Sequence, residues 1–169
     1  IVITLENQSS IYGNKVSVDD SLYSVNIHVD MSNVAIDIST EASHESDVGT
    51  YALVGTVLNS GGYNITFVNA DYVIIQRNIT ILVENQTGVY GDDVEVDQLY
   101  SISKGNLVNG DNLNITLQTS ATETSDIGSY EIDVVSVGND NYDIDVIGGY
   151  YTIFARPISF EIDDQTAIY

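Results

Sequence analysis

Carboxylates are the side chains of this sequence with the greatest capacity to bind a ligand. The 169 residues include 25 Asp and Glu against four Lys and Arg, which gives a formal net charge of −21. Ca²⁺ takes about six to eight oxygen ligands, many of them carboxylates. The acidic residues that cluster along the chain, and that are candidate calcium ligands, are Asp19, Asp20, Asp92, Asp93, Asp140, Asp143 and Asp145. Calcium is the cofactor that these clusters suggest.

The same carboxylates also fit a solvated acidic surface. The run Asn139–Asp145 lacks the pattern of an EF-hand loop, which places Gly at its sixth position and Glu at its twelfth. The matching segment of the first half of the chain, Ser60–Thr66, contains no acidic residue. A solvated face is therefore the simpler interpretation, and a calcium site is the alternative.

Asparagine offers a second kind of candidate site. Where a secretory glycosylation system exists, Asn in an Asn-x-Ser/Thr sequence can carry a glycan. The chain has five such sequences, at Asn7, Asn64, Asn78, Asn85 and Asn114. Asparagine is also favoured in turns, because its side chain bonds to nearby backbone groups. Both interpretations remain open.

The sequence offers no set of residues for catalysis. His28 and His44 are the two imidazoles, and Glu123 occupies the position that matches His44 in the second half of the chain. There is no Cys, and no nucleophile elbow, phosphate-binding loop or dinucleotide motif can be found. We therefore expect that the protein is not an enzyme.

The charge balance also excludes some partners. Binding to nucleic acid or to anionic lipid needs clustered Lys and Arg, and this chain has four such residues in total. No run of 18 apolar residues is present, so membrane insertion is not expected. The chain begins in the apolar run Ile1-Val2-Ile3 without an initiating Met, which is typical of a fragment or a processed product.

An internal repeat organises the whole sequence. Asn7–Gly13 recurs as Asn85–Gly91, and Ser46–Tyr51 recurs as Ser125–Tyr130, in each case about 79 residues later. Single residues that recur at this spacing are Tyr63 and Tyr142, Tyr72 and Tyr151, and Arg77 and Arg156. A third copy opens near Asp164. The repeat predicts one module over residues 1–77, a second over 78–156, and the first strand of a third over 157–169.

Alternating polarity indicates that each module is made of β-strands. Apolar and polar residues alternate with period two over Tyr23–Val29, Leu113–Leu117 and Tyr142–Val146. The best candidate for a short helix is Val96–Ser103. The predicted fold class is therefore all-β, or mostly β, with two tandem small modules, each either a β-sandwich or a β-grasp-like sheet.

The recurrent tyrosines could serve a core or a binding surface. They form the sets Tyr12, Tyr90 and Tyr169; Tyr51 and Tyr130; Tyr63 and Tyr142; Tyr72 and Tyr151. A core tyrosine is buried and its hydroxyl finds a hydrogen-bond partner, whereas a sugar-binding platform uses exposed rings. Recurrence at fixed places in each module favours core packing.

Four short motifs give the chain a family resemblance. They are Tyr-Gly at Tyr12 and Tyr90, Ser-Asp-Val/Ile-Gly-Thr/Ser-Tyr at Ser46 and Ser125, Tyr-Asn/Asp-Ile at Tyr63 and Tyr142, and Tyr-x-Ile at Tyr72 and Tyr151. In these motifs the chain resembles the MBG repeat, YGX type, of prokaryotic surface adhesins. The resemblance implies tandem β-rich modules in the stalk of a large secreted or wall-anchored protein, and it implies no catalytic residues.

Three functions are compatible with these observations. The leading one is a structural repeat segment of an extracellular adhesin stalk at the cell surface, which provides length and stiffness and has neighbouring repeats as partners. The first alternative is a subunit of an extracellular filament, in which residues 157–169 add as a strand to an identical subunit. The second is a calcium-dependent or glycan-binding module that recognises host or surface glycans.

Overall fold

The chain folds entirely as β-strands and connecting loops. A computed structural model describes residues 1–136 and 138–164, and no helix occurs in these two ranges. The helix expected over Val96–Ser103 is wrong, because Tyr100–Lys104 is a strand. Tyr100 and Ile102 are half-buried there while Ser101 and Ser103 are exposed, which is the two-residue period of a strand. The predicted all-β fold class is confirmed.

The first repeat contains seven strands in two sheets. The strands are β1 (Val2–Leu5), β2 (Gln8–Ile11), β3 (Tyr23–Val25), β4 (Val34–Thr40), β5 (Gly49–Ser60), β6 (Thr66–Val68) and β7 (Ala70–Ile75). One sheet has the order β3-β1-β6 and the other the order β2-β7-β5-β4. β1 pairs with β6, and β2 with β7, in parallel; the other pairs are antiparallel.

The second repeat contains the same seven strands in the same order. They are β8 (Arg77–Val83), β9 (Gln86–Val89), β10 (Tyr100–Lys104), β11 (Thr116–Thr119), β12 (Gly128–Ser136), β13 (Tyr142–Ile147) and β14 (Gly149–Phe154). The sheets have the orders β10-β8-β13 and β11-β12-β14-β9. Even the register recurs, because Tyr51 faces Tyr72 across one sheet and Tyr130 faces Tyr151 across the other. The tandem repeat predicted from the sequence is thus present in the fold.

Apolar side chains on alternate strand positions form the core. One buried cluster consists of Val83, Leu117, Ala121, Ile132, Tyr151 and Ile153. Val83 lies on β8 and the other strand residues lie on β11, β12 and β14, so a three-stranded and a four-stranded sheet share one core. Burial of an Ile or Leu side chain contributes about 1.5–3 kcal/mol. The corresponding residues of the first repeat, including Leu5, Leu53 and Tyr72, are at most 5% exposed.

The described residues divide into two compact units. Unit 1 consists of Ile1–Thr80, Lys104–Leu113 and Gly138–Asp145, and unit 2 consists of 81–103, 114–136 and 146–164. Unit 1 therefore contains the whole first repeat and two segments that belong to the second repeat in the sequence. The repeat boundaries at residues 77 and 156 stay a prediction from the sequence.

The segment that follows the second repeat has no regular secondary structure. Residues 155–164 form neither strand nor helix, and Ile158, Phe160 and Ile162 are 81–84% exposed. The remainder of the predicted third copy, residues 165–169, lies outside the described residues. Its assignment as a first strand stays a prediction. In the described part of the chain, no helix has the length and apolar character required to cross a lipid bilayer.

Candidate functional site

The recurrent Tyr-Gly motif forms the same tight turn in both repeats. The amide of Asn14 donates to the carbonyl of Ile11 at 3.0 Å, and that of Asp92 donates to Val89 at the same distance. Gly13 and Gly91 have φ of 75° and 81°. A positive φ at the third residue is the requirement of a type II turn, and glycine meets it without steric cost. The turn fixes the backbone beside Tyr12 and Tyr90.

A recurrent arginine donates hydrogen bonds to each of these turns. Nε of Arg77 donates to the carbonyl oxygen of Tyr12 at 2.9 Å, and Nη2 donates to Oδ1 of Asn14 at 2.5 Å. Arg156 repeats the arrangement, because its Nε donates to the carbonyl of Tyr90 at 2.9 Å and its Nη2 to the carboxylate of Asp92. The arginine of the repeat thus has a structural role that the sequence did not reveal.

In unit 1 the fastened turn carries a buried pair of tyrosines. The rings of Tyr12 and Tyr142 lie edge to face, with centroids 5.7 Å apart and an interplanar angle of 80°. Both residues are buried, at 3% and 4% exposure. The Tyr142 hydroxyl accepts from the amide of Val108 at 2.9 Å and donates to Oδ2 of Asp111 at 2.8 Å. An aromatic pair of this geometry contributes about 0.5–1.5 kcal/mol beyond its buried area.

Burial keeps the phenols of this pair neutral. Burial, together with the hydrogen bond to Asp111 and the charge of that carboxylate, raises the pKa of Tyr142 to about 12. Burial likewise raises the pKa of Tyr12. A tyrosine of ordinary pKa is already protonated at neutral pH, and the raised pKa keeps the Tyr142 hydroxyl a hydrogen-bond donor to Asp111 at alkaline pH as well.

The loop before Tyr142 is fixed by an asparagine. Asn141 Oδ1 accepts from the amide of Val48 at 2.8 Å, and its Nδ2 donates to Oδ1 of Asp47 at 2.8 Å. The carbonyl of Asn141 accepts from the amide of Arg77 at 3.0 Å. Nε2 of Gln76 donates to the carbonyl of Asp140 at 3.0 Å. Within unit 1, residues 47–48 therefore bond to the side chain of this loop's Asn141, and residues 76–77 bond to the backbone carbonyls of the loop.

The structure separates the recurrent tyrosines into two groups. Core packing is confirmed for those that are at most 4% exposed: Tyr12, Tyr72, Tyr142 and Tyr151. It is wrong for Tyr63 and Tyr90, which are 37% and 46% exposed. Repetition conserves the place of a tyrosine in the fold, but burial depends on which segment lies against it. Tyr169 lies outside the described residues.

Tyr51 and Tyr130 form an intermediate case. Both are half-buried. The hydroxyl of Tyr51 donates to the carbonyl of Asp47 at 2.8 Å, and that of Tyr130 donates to Asp126 at 2.9 Å. Each ring therefore closes the Ser-Asp-Val/Ile-Gly loop of its own repeat, which accounts for the tyrosine at the end of that motif.

The candidate calcium ligands have separate local roles. Asp19 Oδ1 accepts from the amide and the hydroxyl of Ser21 at 2.9 and 2.6 Å, which lowers the pKa of Asp19. Asp92 forms an ion pair with Arg156. The backbone carbonyl oxygen of Asp140 accepts a hydrogen bond from Gln76. The side chains of the other four, Asp20, Asp93, Asp143 and Asp145, belong to exposed residues.

These carboxylates are not gathered into a metal centre in the described part of the chain. No three His, Cys, Asp or Glu side chains are placed there so that they could hold a metal ion together. Calcium binding stays a prediction. Calorimetry with added Ca²⁺ and with a chelator tests it, since a site would raise the melting temperature.

All five candidate glycosylation residues are exposed. Two of them have the same structural role in the two repeats, because Asn7 Oδ1 accepts from the amide of Asp71 at 2.9 Å and Asn85 Oδ1 accepts from Tyr150 at 2.8 Å. Asn64 and Asn78 lie on the surface, and Asn114 has a positive φ of 47°. These two bonds join residues 64 and 65 positions apart in the sequence, so they are not the local turn bonds expected of asparagine. Glycan attachment stays a prediction.

Comparison with known proteins agrees with the repeat. The family model described as MBG domain (YGX type) matches the chain twice, over residues 1–73 and 79–152. The two matches correspond to the two repeats. No curated protein matches the chain.

Proposed function

The chain belongs to the MBG domain (YGX type) family, and from this membership we propose that it is a structural repeat segment of an extracellular surface adhesin. In this role the repeats provide length and stiffness between the cell surface and a more distant part of the same protein. They perform no catalysis, and their principal partners are neighbouring repeats.

The short connection between the repeats carries this proposal. β7 ends at Ile75 and β8 begins at Arg77, so Gln76 alone separates the last strand of one repeat from the first strand of the next. Flexible interdomain linkers are typically Gly/Ser-rich chains of many residues. A single residue leaves few free backbone dihedrals. The hydrogen bonds of Gln76 and Arg77 to the loop 138–142 restrict this connection further.

A surface-display experiment tests length and stiffness. One, two and four copies of residues 1–157 are inserted between a membrane anchor and a fluorescent tag, and the height of the tag above the cell is measured. Stiff repeats make the height proportional to the copy number, so that two copies double it. A flexible chain lengthens as the square root of the copy number, or about 1.4-fold. Square-root growth would contradict the proposal.

Location is tested separately on cells of the source organism. An antibody raised against the chain labels intact cells if the segment is exposed at the surface. Labelling that requires permeabilised cells would contradict an extracellular role.

A filament subunit is the second candidate, and one observation favours it. Ile158, Phe160 and Ile162 alternate with polar residues and are more than 80% exposed. Such a segment can add as a strand to another subunit. Sedimentation of the full chain against a chain that ends at Arg156 tests this. Fibres that form with the full chain and not with the shortened chain would support a filament.

A further inference from the structure

The end of the second repeat carries an open apolar pocket. Its volume is about 440 Å³, and it is lined by Tyr90, Asp126, Ile127, Ala155, Arg156 and Ile158, all in unit 2. We call it the Tyr90 pocket. Tyr90 and Ile127 are 46% and 61% exposed, and Ile158 is 84% exposed. Exposed apolar side chains gathered in one place mark interaction surfaces.

The equivalent place in unit 1 is filled. The repeat aligns the six lining residues with Tyr12, Asp47, Val48, Gln76, Arg77 and Ile79. Tyr12 is 3% exposed because Tyr142 lies against it, and Ile79 is 1% exposed. Two segments of the second repeat cover this place in unit 1, Gly138–Asp145 and Lys104–Leu113, and the latter places Val108 against Gly13. Unit 1 therefore shows what the Tyr90 pocket looks like when it is occupied.

The hydrogen-bonding groups around the Tyr90 pocket correspond to those that bind Asn141 in unit 1. In unit 1 the amides of Val48 and Arg77 donate to Asn141. Their counterparts are the amides of Ile127 and Arg156, and no described residue accepts a hydrogen bond from either. The carboxylate of Asp126 stands where Asp47 accepts from the Asn141 amide group. A neutral amide at the position of Asn141 suits this rim, because its NH₂ group can donate to the Asp126 carboxylate.

We propose that the Tyr90 pocket binds the segment of a following repeat that corresponds to residues 138–145, which carries Asn141 and Tyr142 in the second repeat. The inference deepens the proposed function and rests on it for the choice of occupant. The exposed residues Ile158, Phe160 and Ile162 align with Ile79, Ile81 and Val83, which are at most 2% exposed on β8. A following repeat that begins at Pro157 would bury them as its first strand and would place its own loop over Tyr90.

A second copy of this chain is a poorer occupant. Its segment 138–145 is already engaged in its own unit 1. Its remaining loop of this type, in the first repeat, carries Tyr63 but has Gly62 where the second repeat has Asn141. Glycine supplies neither the amide acceptor for Ile127 nor the donor for Asp126.

An extended chain tests the proposal. Residues 91–156 are appended after Tyr169, which completes a third repeat in register because Tyr169 matches Tyr90. Backbone amide exchange is followed in the extended and the original chain. We expect the Ile127 amide to exchange at least about tenfold more slowly in the extended chain, as a native hydrogen bond requires. Chemical nitration of Tyr90 should slow as well.

A matched variant isolates the asparagine. Asn141→Gly is made in the appended copy only, and it should restore fast exchange at Ile127. A second variant, Ile127→Asp, should lower the melting temperature of the extended chain by several degrees and leave that of the original chain within about one degree, since Ile127 is exposed in the original.

Two outcomes would overturn the proposal. One is unchanged exchange at Ile127 while the strands of the appended repeat are themselves protected. The other is slowed exchange in the original chain that increases with protein concentration, which would assign the pocket to a second copy. Neither result depends on where the protein resides in the cell, so failure here is distinct from failure of the surface-labelling or tag-height experiments.

Discussion

Tyr12 and Tyr142 meet edge to face in unit 1, with ring centroids 5.7 Å apart. They come from different repeats of the sequence. Tyr90 occupies the position of Tyr12 in the second repeat and is 46% exposed. Tyr12 and Tyr90 lie in the same motif, each in a turn of the same type that is hydrogen-bonded by an arginine of its own repeat. They differ in whether another segment covers the ring. This pair offers a comparison within one chain.

Replacement of the buried ring should be far more costly than replacement of the exposed one. Tyr12→Ala removes a large buried side chain and should lower the free energy of unfolding of unit 1 by about 3–5 kcal/mol. Tyr90→Ala is the matched control and should cost about 1 kcal/mol or less. Native-state amide exchange measures the effect, read at strands β5 and β7 for Tyr12→Ala and at the matching strands β12 and β14 for Tyr90→Ala. Equal losses for the two variants would contradict the assignment of Tyr12 to a core.

Tyr142 should make the stability depend on alkaline pH. Its pKa is about 12 in the fold against an ordinary value of 10. Between these values the unfolded chain loses the proton and the folded chain retains it, so stability is full below pH 10 and falls as pH rises toward 12. The loss should be on the order of 2 kcal/mol. Urea unfolding of the native chain and of Tyr142→Phe from pH 9 to 12 measures the difference, and parallel curves would refute the prediction.

Gln86 should be important for the stability of unit 2. It is buried at 9% exposure, and its side chain both donates to the carbonyl and accepts from the amide of Asp97, each at 2.8 Å. Gln86→Ala leaves both backbone groups without this partner and should cost about 2 kcal/mol. Gln118→Ala, at an exposed position on β11, is the control. Thermal unfolding of the two variants tests the difference, and a Gln86 effect no larger than the control would contradict it.

Two glycines with the same backbone conformation should differ in how much stability they lose when replaced by alanine. Gly105 and Gly110 have φ of 78° and 77°. A Cβ at Gly105 would lie 2.8 Å from the carbonyl oxygen of Asn78, whereas a Cβ at Gly110 meets nothing within 4 Å. Gly110→Ala should cost about 1 kcal/mol from the positive φ alone, and Gly105→Ala should cost more. Chemical denaturation of both variants measures the excess, and equal costs would show that the backbone yields at Gly105.

The sequence predicted the repeat and the fold class because both follow from local patterns. Alternation over Tyr142–Val146 corresponds to β13 almost residue for residue. The helix candidate over 96–103 failed because Asp97–Leu99 interrupts the alternation that Tyr100–Ser103 shows, and pairing in a sheet decided the conformation of Tyr100–Lys104. Long-range pairing is not contained in any short window of sequence.

The candidate site could be predicted only in part. Recurrence identified Tyr12, Arg77 and Tyr142 as fixed positions of the repeat, and it predicted core packing for the two tyrosines but no role for Arg77. It could not show that Asn141 joins Asp47 and Val48 by hydrogen bonds, since these residues lie more than 90 positions apart in the sequence. It also assigned Tyr90 to a core, because two residues in the same motif carry the same local signal whatever lies against them.

The contacts that hold the loop 138–145 in unit 1 use amides, peptide carbonyls and ring edges far more than opposite charges. Interactions of this kind are weakly screened by dissolved ions, whereas the mutual repulsion of the surplus carboxylates weakens as ions are added. The loop should therefore remain attached from fresh water to concentrated brine. An organism could carry such repeats through large changes in salinity without altering the residues that join them.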